Sequence, residues 1–70
     1  MKQINAMMAG TVIEVLVKPG DQIADGQDVI IIESMKMQLP VQSEQTGKVT
    51  EVKVNSGDFV NEGDTLVVLD

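Results

Sequence analysis

The chain repeats itself, and no other feature limits its possible folds as severely. Residues 9–33 and 46–70 align without a gap, each residue of the second stretch lying 37 positions after its counterpart. Gly10 and Gly47, Val12 and Val49, Glu14 and Glu51, Val15 and Val52, and Val17 and Val54 are identical pairs. Gly20 and Gly57, Asp21 and Asp58, and Gly26 and Gly63 continue the match. Where identity lapses, apolar character persists: Ile23 with Val60, Val29 with Leu66, Ile31 with Val68, Ile32 with Leu69. Two copies are too few for a solenoid, which buries its faces by stacking several repeats. The halves are therefore expected to pack face to face about a pseudo-twofold axis, as a flattened barrel or sandwich.

Each unit reads as strands joined by turns. Thr11 to Val17 and its equivalent Lys48 to Val54 alternate between apolar and polar residues, the signature of a half-buried strand. Pro19-Gly20-Asp21 and Ser56-Gly57-Asp58 are turn sequences whose glycines can take the positive φ that many turns require. A short strand is expected around Ile23 and around Val60, followed by the turn pairs Asp25-Gly26 and Glu62-Gly63. Val29 to Glu33 and Thr65 to Leu69 are near-continuous apolar runs, suited to strands buried on both sides or covered at an edge. By the same offset Gln38 to Ser43 matches Met1 to Ala6, so each unit also opens with a strand. No segment keeps a 3.6-residue apolar period over helical length. The expected fold is all-β, with half-repeats at about 1–34 and 38–70 and a hairpin at 35–37 joining them.

Composition narrows the function. The 70 residues form one small domain with no cysteine, histidine, tryptophan or tyrosine, and Phe59 is the only aromatic residue. The core must be aliphatic, and neither disulfides nor thiolate metal sites can reinforce it. A net charge of -6, with no arginine, disfavours nucleic acid and anionic membrane surfaces. The longest apolar runs are too short to span a bilayer. The opening Met-Lys-Gln-Ile-Asn lacks the apolar stretch of a secretion signal, which with the missing cysteines favours the cytoplasm, or a domain cut from a cytoplasmic protein; the domain is expected to be monomeric.

Between Pro19 and Gly47 the only basic residue is Lys36, set between Met35 and Met37 at the junction of the two units. An arbitrary lysine on a hairpin is usually just solvated, and an arbitrary methionine usually fills a core. In an extended stretch Met35 and Met37 share one face and Lys36 takes the other. On a tight turn at least one methionine is exposed, and exposed large apolar groups at a projecting tip mark a recognition surface. If the twofold axis crosses the strands, this junction and the chain ends lie at opposite ends of the domain.

Glu33-Ser34-Met35-Lys36-Met37 resembles the Glu-Ala/Ser-Met-Lys-Met motif of the biotinyl (biotin/lipoyl attachment) domain family. Ala6-Met7-Met8-Ala9-Gly10-Thr11-Val12 is similar to that family's opening Ala-Pro-Met-Pro-Gly-Thr-Val, with Met7 and Ala9 where prolines are common. Val17 to Asp21 and Gly57 to Asp64 fall where the family places its repeated Gly-Asp and Gly-Asp/Gln turns, so the likeness covers nearly the whole chain. Gln38 stands in place of a frequent acidic residue, and no "thumb" insertion interrupts Val17 to Val29. The resemblance implies two four-stranded antiparallel sheets, with Lys36 on a protruding hairpin as the covalent attachment point for biotin. It also implies that Met35 and Met37 are flanking recognition residues, with Glu33 and Ser34 completing the hairpin.

By the same resemblance, a biotin protein ligase is expected to activate and attach the biotin, because an alkylammonium is protonated and non-nucleophilic at neutral pH and this chain offers no histidine or thiol as a base. The loaded domain would serve a biotin carboxylase site and a carboxyltransferase site as a non-catalytic carrier, with tethering raising the effective concentration at both. Two other readings share the fold. A lipoyl carrier is expected to show Asp-Lys-Ala at this point, and an unmodified structural barrel-sandwich module has no need of Met-Lys-Met. An enzyme built on Asp21 with Asp58, or Asp25 with Glu62, is disfavoured because duplicated turn acids usually form turns.

Overall fold

The apolar alternation closes into two sheets, and the computed structural model describes residues 2–70. Eight strands follow in order: β1 (Lys2–Asn5), β2 (Gly10–Val15), β3 (Gln22–Ile23), β4 (Asp28–Ser34), β5 (Met37–Gln42), β6 (Gly47–Val52), β7 (Phe59–Val60) and β8 (Thr65–Leu69). One four-stranded sheet runs β1-β8-β6-β3 and the other β5-β4-β2-β7, with every pairing antiparallel. Exchanging β1 with β5, β2 with β6, β3 with β7 and β4 with β8 turns one sheet order into the other. The topology thus carries the same pseudo-twofold as the sequence.

Backbone hydrogen bonds repeat in the same way. The Gly20 amide donates to the Val49 carbonyl at 2.8 Å, and the Gly57 amide to that of Val12 at 2.7 Å. The Val49 amide donates to the Asp21 carbonyl at 2.8 Å, and the Val12 amide to that of Asp58 at 2.7 Å. Each half therefore satisfies the turn of the other, so a half-unit on its own would leave these groups unpaired.

Both central strands carry bulges at equivalent places. The β2–β4 register shifts between Val12 and Glu14, and the β6–β8 register shifts between Val49 and Glu51. The β4–β5 register shifts between Asp28 and Ile30, and the β1–β8 register between Ile4 and Asn5. A bulge puts two successive side chains on one side of a strand. This is why Val29 with Ile30, and Leu66 with Val67, are all fully buried despite being neighbours. β4 and β8 are inner strands with partners on both edges, which accounts for their dense apolar content.

The core is aliphatic, with Val12, Ile23, Val29, Ile30, Ile32, Val49, Val60, Leu66, Val67 and Leu69 nearly inaccessible. The expected strands to Val17 and Val54 stop at Val15 and Val52. Val17 and Val54 stay buried, but the chain there bends into the Lys18–Asp21 and Asn55–Asp58 turns. In these turns the Asp21 and Asp58 carboxylates accept the amides of Lys18 at 2.9 Å and Asn55 at 2.8 Å, the work of turn formers.

Candidate functional site

The hairpin between β4 and β5 is built by its ladder. Ile32 pairs with Leu39, Glu33 with Gln38, and Ser34 with Met37, leaving Met35 and Lys36 as a two-residue connection. Both have positive φ, 54° at Met35 and 64° at Lys36. Positive φ at both central residues is the mark of a type I′ connection, whose twist matches that of paired strands. Such turns are normally made by Asn-Gly or its like, because the left-handed region costs an L-residue about 1–2 kcal/mol. Every other positive φ among the described residues belongs to a glycine: Gly20, Gly26, Gly57 and Gly63. The hairpin is one residue tighter than expected, since Met37 opens β5 and does not sit in the turn.

The ladder decides which way the flanking side chains face. Ile32 is buried and Leu39 half-buried, so their row looks into the core. Ser34 and Met37, two positions further on, share that face beyond the rim of the core, and Met37 is left 58% exposed. Glu33 and Gln38 look outward and are exposed, with Thr11 of β2 next in the row and Phe59 of β7 beyond it. Met35 is 92% exposed, so its side chain gives the fold essentially nothing. The connection is the tight turn and not an extended stretch: Met35 and Lys36 stand side by side at the tip, and both methionines are exposed.

Lys36 is exposed, and among the described residues its Nζ makes no hydrogen bond or ion pair. Strands β2, β4, β5 and β7 carry Glu14, Asp28 and Glu33 but no lysine. The amine thus stands at the tip of an acidic sheet, and none of the described residues is hydrogen-bonded to it as a base.

One supporting residue was not evident as such from the sequence. A Cβ on Gly10 would strike the Ile32 Cγ2 methyl and come within 2.6 Å of the Glu33 carbonyl oxygen, so β2 lies hard against the root of the hairpin. The repeat flags the Gly10–Gly47 pair, but the two are not equally crowded. At Gly47 the nearest atom is the Asp70 carbonyl oxygen at 3.4 Å.

Fold and site together define a duplicated β scaffold that displays a solvent-facing amine on a strained hairpin. A family model described as "Biotin-requiring enzyme" matches residues 2–69. The chain is 53% identical over 66 residues to the biotin/lipoyl attachment protein of Bacillus subtilis, covering 94% of this chain and 90% of that one. It is 48% identical over 67 residues to the mitochondrial propionyl-CoA carboxylase alpha chain of Sus scrofa, covering 96% of this chain but only 9% of that much longer one. The urea carboxylase structure of Kluyveromyces lactis superposes with a TM-score of 0.91 at 30% identity, over 99% of this chain and 6% of that one. The chain belongs to the biotin/lipoyl attachment family and is a biotin carrier domain of the carboxyl-carrier type.

Proposed function

We propose that Lys36 is the residue that takes biotin, and that the chain is itself non-catalytic, passing between the active sites of a biotin-dependent carboxylase or decarboxylase. The observation that carries this reading is the lone, unpartnered Lys36 amine on a turn whose two residues both have positive φ. A surface lysine with no role would not need a connection that disfavours its own backbone, and strain of this kind concentrates at functional sites.

Attachment forms an amide bond between Lys36 Nζ and the acyl carbon of an activated biotin ester, with the activating group leaving. The deprotonation that makes the amine nucleophilic falls to a ligase, because the chain has no histidine or thiol to serve as its base. Met35 and Met37 supply an apolar surface that such a ligase can grip, and the short stiff hairpin fixes where the amine points. Once attached, biotin supplies a ureido nitrogen that accepts and releases a carboxyl group. The chain's own contribution is then reach and effective concentration at a carboxylase site and a carboxyltransferase site.

Incubation with a biotin protein ligase, ATP and biotin, followed by intact-mass and peptide analysis, tests the assignment. One biotin per chain on the peptide holding Lys36 is expected. Label on Lys2, Lys18, Lys48 or Lys53 instead would overturn it. The acylated chain also loses one positive charge, from -6 to -7, and should migrate faster to the anode on a native gel.

A further inference from the structure

We infer that Met35 and Met37 are a peroxide-sensitive pair, and that their conversion to sulfoxides closes Lys36 to acylation. The inference rests on Lys36 being the biotin acceptor. Its own ground is the distribution of oxidisable side chains. With no cysteine, histidine, tryptophan or tyrosine, the chain holds methionine as its only readily oxidised residue. No described methionine is in the core: Met7, Met8, Met35 and Met37 are all exposed. Met35 is the most open of them at 92%, and it adjoins the amine.

The chemistry is a two-electron oxidation by a hydroperoxide. A sulfur lone pair attacks the distal peroxide oxygen, an S–O bond forms and the O–O bond breaks. Hydrogen peroxide leaves as water, or an organic hydroperoxide as its alcohol. The product is a polar, chiral sulfoxide in place of a flexible apolar thioether. Oxidation of a core methionine would unfold a domain this small. Here the scaffold should survive, because neither hairpin side chain supports it, and only the surface around the amine changes. A partner pocket that fits a thioether must then bury a sulfoxide oxygen with no matched donor. That mismatch predicts a fall in acylation rate of about tenfold or more. Methionine sulfoxide reductases reverse the reaction, so the loss is recoverable.

The test uses the whole chain, treated with hydrogen peroxide that is removed before ligase is added. Peptide mass spectrometry locates the sulfoxides, circular dichroism follows unfolding, and intact mass gives the rate of biotin uptake. The expected result is early oxidation at Met35, an unchanged fold and an acylation rate lowered about tenfold. Treatment with methionine sulfoxide reductases and dithiothreitol should restore that rate. Met7→Leu/Met8→Leu should be acylated as the parent is and lose rate on oxidation like it. Met35→Leu/Met37→Leu, whatever its starting rate, should not change with peroxide. Equal rates before and after oxidation of Met35 overturn the inference and leave the attachment site standing. Failure of the untreated chain to take biotin on Lys36 removes both.

Discussion

Replacing Met35 by Asn should make the domain more stable while making it a worse biotin acceptor. Met35 sits at φ 54° with its side chain 92% exposed, so it bears a backbone cost with no compensating burial. The left-handed region costs an ordinary L-residue about 1–2 kcal/mol, and Asn enters it more cheaply through local hydrogen bonding. Relief of part of that cost should stabilise the fold by about 0.5–1 kcal/mol. In a domain of this size each kcal/mol moves the unfolding midpoint by roughly 4–8 °C, so a rise of about 2–8 °C is expected. The double change Met35→Asn/Lys36→Gly creates the favoured Asn-Gly pair and should gain about 1–2 kcal/mol, after subtracting the extra unfolded-state entropy of glycine. The chain lacks tryptophan and tyrosine, so unfolding is best followed by far-ultraviolet circular dichroism, in heat and in urea. Biotin uptake by the single variant, read by intact mass, should fall because the apolar side chain is gone. A lower midpoint for Met35→Asn would refute the reasoning, since it would mean that the methionine packs against something or that the turn is not under strain.

Lys36→Arg should fold normally and take no biotin, because a guanidinium does not deprotonate in proteins; peptide mass spectrometry of the ligase-treated variant checks it. Met35→Ala/Met37→Ala should stay within about 0.5 kcal/mol of the parent in urea, yet accept biotin more slowly. A loss of several kcal/mol would class both as packing residues. Gly10→Ala should cost about 1–3 kcal/mol by forcing β2 away from Ile32 and Glu33, whereas Gly47→Ala should cost clearly less, and paired urea titrations compare them. Leu66→Ala, at a fully buried position, should cost about 2–5 kcal/mol, enough to bring so small a domain near its unfolding threshold.

The repeat made the architecture legible: an offset of 37 residues specified two halves, and eight strands fell near the places that alternation marked. Sequence pattern could not reveal the bulges at Ile13 and Thr50, where β2 and β6 shift register. A bulge changes register without changing residue type: Val12-Ile13 leaves adjacent apolar residues where alternation should hold, and Val49-Thr50 leaves not even that trace. The glycine turns were legible because Gly20 and Gly57 are the residue type that positive φ calls for. The Met35-Lys36 turn gave no such signal, and turn chemistry alone would never place a type I′ connection on Met-Lys. Its position came from the symmetry of the units and its meaning from the family motif. The departure from turn preference is itself the informative feature, since local rules are broken most often where function demands it.

The pseudo-twofold also locates the hairpin relative to the rest of the scaffold. The Ile32–Leu39 row of the β4–β5 ladder is the counterpart of the Lys2–Leu69 row of the β1–β8 ladder. Beyond it the hairpin carries two further paired rows, Glu33–Gln38 and Ser34–Met37, and then the turn. At its root the packing departs from the twofold: Gly10 is crowded by Ile32 and Glu33, while Gly47 meets the equivalent Leu69 and Asp70 at ordinary contact distances. Crowding at the root and a two-residue connection at the tip both reduce the freedom of the segment between them. The two rows above Ile32–Leu39 carry that constraint from the root to the turn. A longer or glycine-rich loop would reach as far with less backbone cost, but it would let Lys36 wander. On the proposed assignment, holding the lysine in a disfavoured conformation is what this fold contributes to its modification: a ligase would supply the chemistry, and the hairpin the position.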